Sequence, residues 1–187
     1  MMTFSKNAAA ALAVTIMAAP VAAEETSFSG LFLGVEGGYD SSKYNGGSDG
    51  TVYIGGLAGY RFQTYNNLVL GIEGTYGKNS YDSFGGFDFS TVDYGNEWSV
   101  SATAGVAFGD DSQNLIFGKI GYMETRRDII DNETDVVTKD KDTGLRWGGG
   151  YERKFLENFS VRLSADYAKL DDFYKQLQAK AAFIVSF

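Results

Sequence analysis

The sequence contains neither cysteine nor histidine among its 187 residues, and it contains one proline. Without cysteine, the fold forms no disulfide and no site can use thiolate chemistry. Without histidine, Ser-His triads and histidine-ligated metal sites cannot be built, and no imidazole is present to titrate near neutral pH. We therefore predict that the protein is not an enzyme and that it holds no metal and no cofactor.

Positive charge is also scarce, since 16 lysines and arginines stand against 24 aspartates and glutamates, for a net charge of −8. A protein that binds nucleic acid presents a basic face to the phosphate backbone. The charge balance therefore argues against nucleic acid as a partner.

The single proline lies in an N-terminal segment that has the features of a secretory signal. Lys6 provides a positive start, an apolar run follows at residues 8–19, and small residues end the segment at Ala23. The apolar run is shorter than the roughly 20 residues that a spanning helix needs. We predict that residues 1–23 are a cleavable signal peptide. Residues 24–187 would then form one domain without proline, in which every strand position can donate an N–H.

The sequence is rich in glycine and aromatic residues, with 24 Gly, 14 Phe and 12 Tyr. Such a composition is typical of strands and tight turns rather than helices. In residues 177–187 every second residue is apolar, and this period of two predicts a strand with two different faces. The same alternation recurs seven more times along the chain, most clearly in residues 98–108. The sequence therefore predicts eight strands.

The predicted connections differ in length from one side of the sheet to the other. Tight turns are predicted at residues 64–67, 109–113 and 156–158. Longer loops are predicted at residues 41–50, 78–96 and 125–143, with a shorter fourth one at 171–174. Short turns on one side and longer loops on the other are typical of an outer-membrane barrel. We predict an all-β fold, an eight-stranded antiparallel up-and-down transmembrane β-barrel, with both termini in the periplasm.

Alternation alone does not say which face points outward, because a soluble barrel has an apolar interior and a polar exterior. Here the polar face is mostly Gly, Ser and Thr, and the apolar face carries aromatic residues near the strand ends, as interfacial girdles do. The charges on the polar face balance in sign, as a closed interior requires, since buried charges are tolerated when they are paired. The five acids are Glu36, Glu73, Glu97, Glu152 and Asp166, and the five bases are Arg61, Lys119, Arg146, Arg162 and Lys180.

Glycine-rich segments at residues 55–62, 70–76 and 148–152, with the turn and strand at 156–166, carry a family resemblance. In order and spacing they resemble the small OmpA-like, porin-family eight-stranded outer-membrane barrels of Gram-negative bacteria. The resemblance covers the whole chain after the signal peptide. It implies an integral outer-membrane protein in contact with membrane lipid and lipopolysaccharide. The sequence departs from the larger relatives in ending at Phe187, so we expect no peptidoglycan-binding domain.

The resemblance also implies a route of assembly. Members of this family are inserted by the barrel-assembly machinery with the help of periplasmic chaperones, and the machinery recognises a final strand that ends in phenylalanine. In this sequence, Phe183, Val185 and Phe187 would form that insertion signal.

Three functions remain open at this point: a structural role in the envelope, a small-solute pore, and an adhesin or surface-binding role. An eight-stranded barrel leaves an interior just wide enough for side chains to fill, so the ten charges favour a salt-bridged plug and a structural role in envelope integrity. A narrow small-solute pore is the alternative for the same residues.

An adhesin or surface-binding protein would act through the loops at 78–96 and 125–143. The first loop holds exposed aromatics that can anchor a partner or pack on neighbouring strands: Tyr81, Phe84, Phe87, Phe89 and Tyr94. In the second loop, Arg126 and Arg127 can contact lipopolysaccharide phosphates, although a solvated charged loop also explains the composition.

Overall fold

The computed structural model describes residues 28–44, 47–80, 92–131, 136–170 and 174–187. Within them lie eight strands and one 3₁₀ turn, Asp110–Ser112. The strands are β1 (Gly30–Tyr44), β2 (Gly47–Gln63), β3 (Leu68–Ser80), β4 (Val92–Phe108), β5 (Asn114–Asp131), β6 (Val136–Leu156), β7 (Phe159–Leu170) and β8 (Tyr174–Ser186). No helix in these segments is long and apolar enough to cross a membrane.

The eight strands form a closed antiparallel barrel in which each strand pairs with the next one along the chain. The last strand, β8, closes the barrel by pairing with β1, where Leu33 lies opposite Val185 and Tyr39 opposite Ala179. Closure satisfies the backbone hydrogen bonds of both terminal strands, so the sheet presents no free edge. The predicted eight-stranded all-β barrel is confirmed.

The two faces of every strand differ as the period of two predicts. Large apolar side chains such as Val35, Ile54 and Phe183 point outward and are 65–69% exposed. The interior holds charged and polar side chains, for example Arg146 and Glu152, which are at most 1% exposed. An apolar exterior with a polar interior is the arrangement that a lipid environment requires.

Aromatic pairs mark both ends of the apolar exterior. Toward the long-loop end, Trp98 contacts Tyr122 and Trp147 contacts Tyr167, with ring centroids 5.9 and 4.8 Å apart. We call these four residues the outer aromatic girdle. Toward the short-turn end, the Phe108 and Tyr151 rings lie 6.5 Å apart. Aromatic side chains of this kind favour the two membrane–water interfaces.

The long loops predicted at 41–50, 78–96 and 125–143 are wrong in extent, because the described residues within them continue the strands. Residues 125–131 and 136–143 pair with each other in β5 and β6, and β1 and β2 pair as far as Tyr44 opposite Gly47. The polar composition concealed this pairing. The register places Arg127 opposite Asp140 and Asp128 opposite Lys139. Residues 81–91 of the predicted loop 78–96 lie outside the described residues.

The three short connections lie where the sequence predicts them. In the β2–β3 turn, the N–H of Thr64 donates to the carbonyl of Leu68 at 2.8 Å, and Asn67 has a φ of 59°, a left-handed conformation that asparagine tolerates. The Asn67 carbonyl accepts the N–H of Ala107 at 2.8 Å and so ties this turn to the end of β4.

At the same end of the barrel, an apolar cluster fills the interior. Phe28, which precedes β1, is fully buried there against Val69, Ala107, Leu115 and Phe117. The short-turn end of the lumen is therefore packed with side chains.

Candidate functional site in the barrel interior

The interior of the barrel is lined by ion pairs that join opposite walls. At its centre, both terminal nitrogens of Arg61 lie 2.9 Å from the two carboxylate oxygens of Glu152. The other arginine of this group, Arg162, donates from Nε to Glu152 Oε2 at 2.9 Å and from Nη1 to Glu73. Ser160 adds a hydrogen bond to Glu152 Oε1 at 2.6 Å. Glu152 therefore accepts from two arginines and a serine.

The same chain of ion pairs continues toward the long-loop end. Lys119 Nζ lies 3.4 Å from Glu73 and 3.1 Å from Asp166, and Lys180 Nζ lies 3.2 Å from the other oxygen of Asp166. Lys180 also lies 3.1 Å from Glu36. These contacts link the walls of the barrel without interruption.

Arg146 extends the network to β4 and adds a second contact on β3. It forms an ion pair with Asp166, and its Nη1 lies 2.8 Å from Ser99 Oγ and 3.4 Å from Thr75 Oγ1. The members of this central network are Glu36, Arg61, Glu73, Lys119, Arg146, Glu152, Arg162, Asp166 and Lys180, which include nine of the ten charged residues that the sequence places in the lumen. All are at most 6% exposed. Charges this far from water are stable because each has a partner of opposite sign.

Tyr53 completes the central network on β2, and two inward glycines make room for its ring. Its hydroxyl donates to Glu36 at 2.9 Å, and Lys180 Nζ lies 5.1 Å from the ring centroid. A Cβ atom at Gly55 or Gly77 would collide with the Tyr53 side chain. The glycines of the polar face therefore provide the space that the large interior side chains occupy.

Aromatic rings close the network toward the short-turn end. The Arg61 guanidinium carbon lies 4.9 Å from the centroid of the Phe28 ring and 4.6 Å from that of Phe32. The Arg162 guanidinium carbon lies 4.7 Å from the Phe117 centroid. Cation–π contacts of this kind are stronger in desolvated surroundings. Rings and guanidinium groups together fill the cross-section below Glu152.

The tenth predicted charge, Glu97, lies apart from the central network. It belongs to a second group nearer the long-loop end, in which it accepts from Asn79 at 3.1 Å and from Gln178 at 2.9 and 3.0 Å. Gln176 and Gln178 also donate to Asp40. We call Asp40, Asn79, Glu97, Gln176 and Gln178 the outer polar layer.

The predicted set of lumen residues lacked Phe28, Asp40, Tyr53, Lys154, Gln176 and Gln178. Tyr53 and Gln178 lay on the inner face of predicted strands but were left out because the set was chosen by charge. Asp40 lies four residues after Glu36 and continues its inward phase, but the predicted strand ended before it.

The predicted loop contacts are only partly described. Arg126 is exposed on the outer wall, where its Nε lies 3.3 Å from Glu124, and Lys141 lies 3.7 Å from the same carboxylate. Arg127 lies on β5, at the position paired with Tyr94 of β4. Tyr81, Phe84, Phe87 and Phe89 lie outside the described residues.

The residues of the predicted insertion signal lie on the outer wall of β8. Phe183 and Phe187 are 66% and 68% exposed, and Val185 is half-buried beside them. The N–H of Phe187 donates to the Leu31 carbonyl at 2.9 Å.

A family model described as the outer membrane protein beta-barrel domain matches residues 9–187 of the chain. No curated protein matches it. Solved structures of other proteins are similar in fold, including the three that follow. Neisserial surface protein A (NspA) has a TM-score of 0.60 and 17% identity, covering 85% of this chain and 98% of its own.

Ail, the attachment invasion locus protein of Yersinia pestis, has a TM-score of 0.57 and 20% identity over 83% of this chain and 99% of its own. The outer membrane protein OprG from Pseudomonas aeruginosa has a TM-score of 0.52 and 12% identity over 87% of this chain and 96% of its own. At these identities the likeness is one of fold.

Proposed function

This chain belongs to the outer membrane protein β-barrel family and is an integral protein of the outer membrane, and from this premise we propose that its main role is structural. In this proposal the barrel has a plugged lumen, catalyses no reaction and contributes to the integrity of the envelope. The observation that carries the proposal is the central network, which spans the lumen from Arg61 to Lys180 through contacts of 3.4 Å or less.

The physical support comes from the width of the barrel and the nature of its filling. Eight strands leave room for side chains and little else. Here that room is occupied by paired charges and by the rings of Phe28, Phe32 and Phe117, all at most 6% exposed. A solute would have to separate buried ion pairs such as Arg162–Glu73 in order to pass, which is energetically costly.

A complementation experiment tests the structural role. A strain that lacks the protein should become more sensitive to detergent and to large antibiotics that an intact outer membrane excludes. The wild-type gene should restore resistance, and so should a variant that lacks residues 82–91, because the role lies in the barrel. Normal resistance of the deletion strain, or rescue that depends on residues 82–91, would contradict it.

One observation favours a second candidate, binding of an anionic surface ligand. Beyond the outer aromatic girdle, the outer wall exposes Lys78, Arg126, Lys141, Lys169 and Lys175. Glu124 is the one acidic residue among the side chains described on that part of the wall. A basic collar on a chain of net charge −8 attracts anionic groups, either lipopolysaccharide phosphates or sulfated glycans.

The probe for this second candidate is suggested by a relative, since Ail has been solved in complex with the heparin analogue sucrose octasulfate. If the collar binds such ligands, whole cells should bind heparin in low salt, and the double variant Arg126→Gln, Lys141→Gln should bind it less. Glu124→Gln is the matched control and should bind at least as well as wild type. Equal binding by the wild type and the double variant would remove this candidate.

A further inference from the structure

The outer polar layer contains two carboxylates that share their hydrogen-bond donors. Asp40 on β1 and Glu97 on β4 are each 1% exposed. The amide nitrogen of Gln178 lies 3.2 Å from Asp40 Oδ2 and 3.0 Å from Glu97 Oε2, and that of Gln176 contacts the same two oxygens. Two carboxylates that accept hydrogen bonds from the same amide nitrogen lie close enough to repel each other.

Within the part of the chain that the structure describes, no basic side chain forms an ion pair with Asp40 or Glu97. Among the described residues, the ion pairs of the lumen go to Glu36, Glu73, Glu152 and Asp166, and none reaches Asp40 or Glu97. Arg146 bonds Ser99, two residues from Glu97 on β4, and attracts Glu97 from there, but its direct ion pair is with Asp166. The two carboxylates are thus buried together with amides and the Ser42 hydroxyl as their hydrogen-bond partners among the described residues, which is an unfavourable state for ionised carboxylates.

A second observation points to a ligand. The carbonyl oxygens of Asn79, Gln176 and Gln178 are buried and have no hydrogen-bond partner among the described residues. Each belongs to the same planar amide group as a nitrogen that donates to Asp40 or Glu97, so a half rotation of that amide exchanges the nitrogen for the oxygen beside the carboxylate. Buried amide oxygens without a partner are rare in folded proteins. The layer therefore combines excess negative charge with unused oxygen ligands.

We propose that the outer polar layer is a calcium-binding site. The carboxylates of Asp40 and Glu97 supply two negative charges for one Ca²⁺, and the amides of Asn79, Gln176 and Gln178 turn by half a rotation to present their oxygens to the ion. Nitrogen and oxygen of an amide have nearly the same outline, so this rotation needs no additional space. Ca²⁺ takes six to eight oxygen ligands. The protein supplies five of them in this site, and water supplies the rest.

The composition of the layer also sets the choice of ion. Carboxylate and carbonyl oxygens are hard ligands that suit Ca²⁺ and Mg²⁺ rather than transition metals. Mg²⁺ demands a tight octahedral shell and gives up its water reluctantly, whereas Ca²⁺ accepts a larger and less regular shell from flexible side chains. Groups of three or more acidic side chains arranged for a metal are absent from the described residues, so the amide oxygens are essential to this site.

The site goes beyond the structural role proposed above. Its ligands come from β1, β3, β4 and β8, so a bound ion would tie opposite walls of the lumen above the central network. The central network does not need the ion, and the envelope role can hold whether or not calcium binds.

Calcium titration of the folded chain tests the proposal. The chain is refolded in a detergent without lipopolysaccharide, stripped with EGTA and titrated with CaCl₂ by calorimetry. We expect one ion per chain, with Mg²⁺ binding at least about tenfold more weakly. Absence of saturable Ca²⁺ binding by the wild type would overturn the proposal whatever the variants do.

Two neutral variants and one control identify the site. Asp40→Asn and Glu97→Gln should each raise the dissociation constant at least about tenfold, because ligand charge sets calcium affinity. Glu124→Gln removes an acid on the outer wall at the same end and should leave the constant unchanged. Equal affinity in all four proteins would place the ion elsewhere and overturn the assignment.

A measurement on the wild type alone covers the case in which a variant does not fold. The side-chain amide NMR signals of Gln176 and Gln178 should shift on addition of Ca²⁺ with the same midpoint as the calorimetric curve. Signals that stay in place while calcium binds would contradict the proposed ligands.

Discussion

Arg61 and Glu152 form a bidentate ion pair across the barrel, and both nitrogen–oxygen distances are 2.9 Å. They are 91 positions apart in the sequence and lie on β2 and β6, which stand on opposite sides of the closed sheet. Both are almost fully buried, at 3% and 0% exposure. Only closure of the barrel brings them together, so this pair connects the fold directly to the filling of its lumen.

Loss of the charge on Glu152 should destabilise the barrel strongly. In Glu152→Gln the shape is kept, but Arg61 and Arg162 lose a shared buried anion, and breaking a buried ion pair on one side costs about 3–5 kcal/mol. Urea unfolding in lipid vesicles measures the effect. Arg153→Gln, an exposed neighbour on the same strand, is the control and should change the free energy of unfolding by less than about 0.5 kcal/mol. Similar values for the two variants would show that the pair contributes little.

A charge placed on the outer wall should be costly near the middle of the membrane. Ile120 points outward on β5 and is 60% exposed, so Ile120→Lys should lower the free energy of unfolding by about 2–4 kcal/mol. Tyr65 lies in the β2–β3 turn and is fully exposed. Tyr65→Lys should therefore have little effect in the same vesicles, and a comparable loss at both positions would contradict the outward assignment of Ile120.

The final strand is predicted to direct insertion as well as to close the barrel. Phe187→Ala should slow assembly in cells and leave unfolded protein in the periplasm, detected as a band that no longer shifts on heating before electrophoresis. Phe159 is an outward aromatic at the same end, 46% exposed, and Phe159→Ala is the matched control. If both variants assemble at the same rate, the effect is one of membrane anchoring and the insertion signal lies elsewhere.

The N-terminal segment is predicted to be removed during export. Protein purified from the outer membrane should have the intact mass of a chain that begins at Glu24. Ala23→Arg should block cleavage, because the processing site requires small residues, and a longer precursor should accumulate. Recovery of outer-membrane protein with residues 1–23 still attached would contradict the assignment.

The sequence was sufficient to predict the barrel, because alternation with a period of two fixes both the number of strands and the face that each residue occupies. It also placed Glu36, Arg61 and Glu73 on the inner face. The sequence did not predict which charged residues meet inside the lumen, because these contacts depend on the stagger of the strands in the closed sheet. Nothing in the sequence indicates that Arg61 meets Glu152 rather than Glu36.

Two failures have the same physical origin. Strand ends were underestimated in polar stretches without a period of two, as in residues 125–131, because pairing there depends on a partner strand that sequence order does not reveal. For the same reason Asp40 was left out of the lumen charges. Five acids and five bases then remained, and this balance implied that Glu97, like the others, would form an ion pair. The structure places Glu97 with a second acid and three amides instead.

The plugged lumen is tested most directly by conductance of the refolded protein in planar lipid bilayers in concentrated KCl. A lumen filled by the central network should give no steady current, with each insertion confirmed by the heat-dependent gel shift of the same preparation. Uniform, ohmic current steps from the wild-type protein would contradict the plug and favour the small-solute pore.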